Sequence, residues 1–337
     1  MKAYEVQDFG IENLRLTEIP TPKAGYGEVV VKIKAISVNY RDLMVVSGTY
    51  NPRMKRPAIP FSDASGEIVE VGPGVTRWKV GDRVLPIFVQ RWFDGRLTDQ
   101  WRRTALGAGS DWNGVLREYA AFSEESIVEA PEYLSFEEAA TLPCAALTAW
   151  NGLVESGRLR AGETVLTLGT GGVSIFALQI AKMFGARVIS TTGNNHKAER
   201  LRELGADEII NYRETENWDD AVLQLTAKRG VDHVIEVGGA GTLSRSSRAV
   251  AVGGHIALIG ALSGGEGLSP IGVFMKAVRL QGIFVGSRRM LEDMNRAFAF
   301  HRTRPVIDTV FPFDRVAEAL RYMESAQHFG KIVIAVG

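Results

Sequence analysis

From residue 164 onward, short apolar runs alternate with segments of helical period. Apolar or β-branched runs at 164–168, 187–192, 208–212, 231–237 and 254–260 predict buried strands, because a parallel strand covered on both faces is apolar throughout instead of alternating. The intervening segments repeat their apolar positions at helical spacing. That order predicts an α/β fold built on a doubly wound parallel sheet with helices on both faces. A sixth strand is expected at 279–285, amphipathic helices at 290–301 and 314–326, and a closing strand at 330–336.

The first 130 residues follow a different pattern. Short strands are expected at 28–36, 66–71, 81–85 and 119–122, separated by turns such as Val71-Gly72-Pro73-Gly74-Val75, and together they predict a β-rich barrel. The segment 88–114 is long, polar and aromatic, with Trp92, Phe93, Trp101 and Trp112. A segment of that length inside a compact domain is usually functional; its aromatics either cover a substrate pocket or pack onto the domain surface. Ser135 and Glu138 have the spacing of a capping box, predicting a helix to about residue 155. Pro143 should interrupt it and free backbone near Cys144 and Thr148.

The chemistry begins where the first parallel strand ends. Gly169-Thr170-Gly171-Gly172-Val173-Ser174 lies between a predicted strand and a predicted helix. Glycines there permit a tight turn and close approach of a pyrophosphate to the helix N-terminus. Ser174 stands where the dinucleotide fingerprint usually has its third glycine, a small change at a packing position. The stretch therefore predicts a dinucleotide site.

Composition narrows the partners. Lysine plus arginine and aspartate plus glutamate both number 39, so charge gives no reason to expect nucleic-acid or membrane-surface binding. No apolar run is long enough to span a bilayer. Cys144 is the only cysteine; an internal disulfide is thereby excluded and a reducing, cytoplasmic setting is expected.

Taken in order, Val38-Asn39-Tyr40-Arg41-Asp42, Ile59 to Gly66, Gly81-Asp82-Arg83-Val84, Leu142 to Trp150, the glycine turn, Glu203 to Asp207, Gly230 to Glu236 and Gly330-Lys331-Ile332-Val333-Ile334 resemble the medium-chain dehydrogenase/reductase superfamily over nearly the whole chain. The resemblance is nearest to its zinc-free, quinone oxidoreductase-like branch. It implies a GroES-like catalytic domain at 1–130, a Rossmann domain at 131–265, and a C-terminal segment at 266–337 that completes the sheet edge and the catalytic domain. A homodimer through sheet edges near 279–286 is implied as well.

The zinc alcohol dehydrogenases of that superfamily hold catalytic zinc with two cysteines and a histidine, and those positions correspond here to Asn39, Ser62 and Cys144. Amide and hydroxyl oxygens are poor zinc donors, no histidine precedes His196, and one cysteine cannot build a four-cysteine lobe. No metal is expected; a carboxylate site at Asp42, Asp63 or Glu67 would suit a harder ion. Cys144 is expected as a small core residue beside the nicotinamide.

Without a Lewis acid, the favourable chemistry is hydride addition to a conjugated carbonyl or quinone, with hydrogen-bond donors holding the charge that develops on oxygen. Asn39, Tyr40 and Arg41 are the candidates, each equally consistent with a structural role; Asp42 is expected to orient the loop. Thr192 occupies the place where NAD enzymes carry an acid; Asn194 and Lys197 follow, Lys197 where a phosphate or ribose contact is expected, and the resemblance sets Tyr212 on a 2′-phosphate. NADP is therefore expected, with NAD possible. Thr148, Gly238, Gly260, Phe284, Val285 and Gly286 are expected on the nicotinamide side, the glycines equally as sheet turns. An alcohol dehydrogenase, or a nucleotide-binding relative without catalysis, remains the alternative.

Overall fold

The computed structural model describes residues 1–108, 112–260, 268 and 270–337. The expected domain limit at 265, and residues 109–111 of the aromatic segment, lie outside them. The chain forms two compact units, one of Met1–Leu147 with Gly286–Gly337, the other of Thr148–Val285.

In chain order, the first unit begins with β1 (Lys2–Val6), β2 (Leu14–Glu18), β3 (Glu28–Val38), β4 (Asp63–Val71), β5 (Arg83–Pro86), β6 (Tyr119–Ser123) and β7 (Ile127–Glu129). The second unit carries β8 (Thr164–Thr167), β9 (Arg187–Thr192), β10 (Glu208–Asn211), β11 (Val231–Glu236), β12 (Val250–Leu258) and β13 (Arg279–Gly282). The chain then returns to the first unit for β14 (Ile307–Pro312) and β15 (Lys331–Ala335).

The first unit is organised around β3. One edge of β3 pairs with β4 along nearly its whole length, with two register shifts that bend the strand. Its other edge pairs with β6 over Glu28–Lys32 and with β15 over Ala35–Val38. One long bent strand thereby serves two neighbours on one side, as a β-rich barrel-like unit needs. Its apolar positions, Val29, Val31, Ile33, Ile36 and Val38, are fully buried in the core with Phe61, Ile68, Leu116 and Ile334. Three ends meet as a consequence: Asn39 follows β3, Asp63 opens β4 opposite Ser37, and Lys331 opens β15 beside the Ile332–Val38 pair.

The capping box forms, with Glu138 N–H donating to Ser135 Oγ at 3.2 Å and Ser135 N–H to Glu138 Oε2 at 2.8 Å. The helix it starts, Phe136–Ala140, gives way at Pro143 to wider turns at Leu142–Ala146 and Asn151–Glu155. Proline cannot donate within the helix, and the next N–H, that of Cys144, donates to Asp63 Oδ2 at 3.0 Å.

The second unit holds six parallel strands in the order β10-β9-β8-β11-β12-β13, the doubly wound arrangement whose winding reverses between β8 and β11. The strand expected at 254–260 begins earlier, at Val250, and the sixth ends at Gly282 instead of 285. Glycines at 253 and 254 lie within β12 at the irregularity between its Val231–Val250 and His233–His255 pairs, and a local reading takes glycines at such a bulge for a turn.

His255 on β12 is buried between His233 on β11 and Arg279 on β13. Burial pushes its pKa down to about 4 from an ordinary 6.5, and the flanking His233 and Arg279 charges add to this. The unfolded chain therefore takes up this proton before the folded one does. The stability tied to His255 is full above about pH 6.5 and falls as the pH drops toward 4, by about 3 kcal/mol in all. Urea unfolding of the protein and of His255→Gln at neutral pH and near pH 4.5 should show a shallower acid loss in the variant.

Candidate active site

The turn after β8 is built to leave room. Gly169 has φ of +71°, which a residue with Cβ resists, and its N–H donates to Thr191 Oγ1 at 3.1 Å. Ser174 donates to the Leu168 carbonyl at 2.7 Å, so the serine in place of the third glycine pins the helix to the strand end. The helix that follows, Gly172–Met183, has Gly171 as N-cap and no side-chain cap, leaving its first N–H groups available to an anion. A Cβ built on Gly169 or Gly171 would meet nothing within 4 Å. Thr170 is buried, and Gly172 and Val173 form the first turn. The cradle fits a dinucleotide pyrophosphate.

At the end of β9, Thr192 is 1% exposed and turned into its own loop, its hydroxyl accepting from Asn194 N–H at 3.2 Å. Asn194 caps the Asn195–Glu203 helix through Oδ1, which accepts from His196 N–H at 2.8 Å and Lys197 N–H at 3.4 Å. Tyr212 N–H donates to the Thr192 carbonyl at 2.9 Å, and its ring lies over Gly193, where an added Cβ would sit 2.6 Å from the phenol oxygen. The structure thus gathers Thr192, Asn194, Lys197 and Tyr212 around one strand end, with no carboxylate in the place of the expected acid. Gly193 completes the group; its signal was the glycine directly after the strand.

The residues expected on the nicotinamide side follow the ends of β11, β12 and β13. Glu236, buried at the end of β11, accepts from Gly238 N–H at 2.8 Å, Gly239 N–H at 3.0 Å and Thr242 Oγ1 at 2.6 Å, and so shapes that loop. At Gly260 a Cβ would fall 1.8 Å from the Val237 carbonyl oxygen, so no larger residue fits. Val285 is β-branched yet held at φ +53°, with its carbonyl accepting from Asn151 Nδ2 at 2.7 Å. Strain of this kind costs about 1–3 kcal/mol and clusters at functional sites. Phe284 is half-buried before it, Thr148 is buried on the Leu147–Trp150 turn, and Gly286 leaves no space for a Cβ beside Leu147.

The catalytic candidates of the first unit form a second group. Lys331, 3% exposed, donates through Nζ to the Val38 carbonyl at 2.7 Å and to Asn39 Oδ1 at 2.6 Å. Asp63, fully buried, accepts from Ser62 Oγ at 2.8 Å and from Cys144 N–H. Burial drives its pKa upward, against the pull of the Lys331 charge. Asp42 accepts the Asn39 N–H at 2.8 Å; burial pushes it up to about 7, with Arg41 opposing and Asp63 adding. Burial also lowers the Lys331 pKa, an effect Asp63 counters. The Asn39 Nδ2 is buried on the Asp63 side, where it helps hold that carboxyl's pKa down, and it has no partner at full hydrogen-bond geometry.

Tyr40 opens the Tyr40–Val46 helix and is 41% exposed. Arg41 is turned inward: it donates to the Leu106 carbonyl at 2.6 Å and lies over the Tyr50 and Phe88 rings at 4.9 and 4.8 Å. It therefore braces the aromatic segment. That segment packs onto its own unit, with Trp92 buried and Trp112 against the core, and its Trp92 and Phe93 carbonyls accept from Arg288 and Arg289 N–H.

The positions that would carry zinc do not fit it. Asn39 offers an amide whose oxygen already accepts from an ammonium group, and Ser62 is a neutral hydroxyl given to Asp63. Desolvation and the adjacent Asp63 carboxylate push the Cys144 thiol far above its ordinary pKa in the metal-free protein, and its single sulfur is the one soft donor these three positions offer zinc. Among the described residues no group of three acidic, cysteine or histidine side chains is arranged to hold a metal.

Residues 25–132 match the alcohol dehydrogenase GroES-like domain, and residues 172–300 match the zinc-binding dehydrogenase domain. A zinc-type alcohol dehydrogenase-like protein of Schizosaccharomyces pombe is 43% identical over 97% of this chain and 96% of its own length. The chain belongs to the medium-chain dehydrogenase/reductase superfamily. Human quinone oxidoreductase is 29% identical, covering 95% of this chain and 92% of its own. The solved structure of an NAD-dependent alcohol dehydrogenase matches with a TM-score of 0.91 at 35% identity, over the full length of both chains. The protein is thus a nicotinamide-dinucleotide-dependent oxidoreductase of this superfamily.

Two buried residues of these groups escaped the sequence reading, Lys331 and Glu236. The available signal was the same for both: a charged residue at the terminus of a buried strand.

Gly171 has an extended backbone that any residue adopts, with open space beside it. Gly171→Ala should leave the melting temperature within about 2 °C while weakening dinucleotide binding at least tenfold, about 1.4 kcal/mol, because the methyl stands in the cradle. Titration of cofactor fluorescence beside thermal unfolding checks both halves.

Proposed function

We propose that the protein is a zinc-independent, NADPH-dependent reductase of small conjugated carbonyls or quinones. The observation that carries this reading is the buried Asn39 Nδ2, a donor beside Asp63 that meets no partner at full hydrogen-bond geometry, where the zinc enzymes of the superfamily keep a metal ligand. When bound, the reduced cofactor supplies hydride. As hydride adds to the electron-poor carbon of an enal or enone, the displaced electron pair moves onto the carbonyl oxygen, and Asn39 donates to that oxygen. A positioned donor of this type contributes about 2.7–4 kcal/mol to the transition state. Tyr40, with its phenol on the exposed side of the helix start, supplies the proton that completes reduction. Asp42 fixes the Asn39 backbone, and Arg41 holds the loop beside it.

NADP is favoured because the end of β9 carries Thr192 where an acid would repel a 2′-phosphate, with Asn194, Lys197 and Tyr212 around it. Similarity to an NAD-dependent alcohol dehydrogenase supports the competing reading, oxidation of a small alcohol. The donor set speaks against it, since little here would stabilise an alkoxide. NADPH oxidation measured over enals, quinones and simple aldehydes, with and without a strong chelator, separates the two. The proposal predicts turnover of conjugated acceptors that survives chelation and a preference for NADPH over NADH of at least about tenfold. Activity confined to simple aldehydes and lost with chelator would overturn it.

We further place the protein in the cytoplasm, on its single cysteine, and read it as a homodimer. The support for the dimer is the sheet edge at β13, whose residues are all exposed, with Ile271, Phe274, Met275 and Val252 exposed near it. A strand edge of this type, flanked by exposed apolar side chains, invites pairing with another chain. Light scattering should give a dimer for the protein and a monomer for Phe274→Asp combined with Met275→Asp; a monomeric parent protein would contradict the reading.

A further inference from the structure

The mechanism above uses Asn39 but leaves Lys331, the most enclosed cation of the first unit, without a role. Its ammonium has no ion-pair partner among the described residues and gives its two hydrogen bonds to neutral oxygens, the Val38 carbonyl and Asn39 Oδ1. An ammonium group can only donate. The Asn39 amide must therefore present its oxygen to Lys331, since the flipped amide would set two donors against each other. With the oxygen held, Nδ2 is turned to the Asp63 side, where it helps hold that carboxyl's pKa down but meets no partner at full hydrogen-bond geometry. A buried polar atom left unpaired calls for an explanation. Strand register makes the arrangement: the antiparallel pairing of β15 with β3 sets Lys331 beside Asn39 across a gap of 292 residues in sequence.

We propose that Lys331 is a positioning residue for catalysis, clamping Asn39 by its oxygen so that Nδ2 is pre-aimed as the donor to the acceptor's carbonyl oxygen. This rests on the assignment of Asn39 as that donor. Lys331 itself transfers no proton and touches no substrate. Its charge also supports Asp63 and Asp42, so its loss lowers stability as well as rate, and the two effects have to be measured apart.

The test is a double-mutant cycle on kcat, with KM, cofactor affinity and thermal unfolding recorded for each protein. Lys331→Met should lower kcat about tenfold or more while cofactor affinity stays within about twofold, and Lys331→Arg, which is also donor-only, should recover most of the loss. Asn39→Ala should lower kcat about a hundredfold, in the range for loss of one oxyanion donor. Adding Lys331→Met to Asn39→Ala should cost no further kcat, because the clamp then has nothing to hold. An equal loss in both backgrounds, or a change in melting temperature alone, overturns the proposal. If Lys331→Met does not fold, Lys331→Gln, which still donates to the Val38 carbonyl, carries the same comparison.

A second readout needs no substrate, so it separates failure of the clamp from failure of the reductase reading. In 15N-asparagine-labelled protein, the Asn39 side-chain amide is identified by its absence from the Asn39→Asp spectrum. It should move downfield or double in Lys331→Met, as the amide turns over to the freed Val38 carbonyl, and stay in place in Lys331→Arg. An unmoved signal in Lys331→Met overturns the clamp even if wild-type turnover is confirmed. Absence of any wild-type hydride transfer sinks the reductase reading while this spectrum still decides the clamp.

Discussion

A lysine ammonium sealed among backbone and amide oxygens, with two buried carboxylates nearby, is the constraint on which the chemistry proposed for the first unit depends. Burying an isolated charge is costly, and such a group survives only where several partners converge on it. Here the convergence is made by strand ends: β3 stops at Asn39, β4 starts at Asp63, and β15 starts at Lys331. The same long apolar β3 that fills the core also delivers Asn39 to the site. Core packing and chemistry are thus two consequences of one strand.

In the proposed reaction, this arrangement stands in place of a metal. Zinc would supply positive charge and open coordination positions to a carbonyl oxygen. The cluster holds a fixed cation at Lys331, an amide oriented by it, and a thiol kept protonated by burial beside Asp63. On the proposed reading, charge on the substrate oxygen is then met by a hydrogen-bond donor. That is sufficient for an activated acceptor, whose negative charge is delocalised, and much less so for a simple alkoxide. The proposed substrate class and the poor fit of these residues to zinc therefore belong to one physical argument.

Much of the second unit was legible in the sequence because its signals are local. Apolar runs, the glycine turn and helix stops specify a parallel sheet and a phosphate cradle within a few residues of each other. Pro143 and the Ser135–Glu138 box were readable for the same reason. What was not legible depends on register between distant strands. Lys331 sat in a recognised motif without a role, because nothing near it in the chain shows that it meets Asn39. Arg41 illustrates the converse: its neighbours suggested a charge for the substrate, while its guanidinium reaches Leu106 and two rings. Side-chain direction at a helix start follows from packing that a sequence does not display.

The most direct test of the account follows the hydride itself. Metal-stripped protein is mixed with a small enal and NADPH carrying deuterium at the transferable nicotinamide position, and the product is examined by mass spectrometry. The account predicts deuterium on the carbon β to the carbonyl, with a rate unchanged by removal of metal. Deuterium on the carbonyl carbon, or no labelled product until zinc is restored, would contradict it.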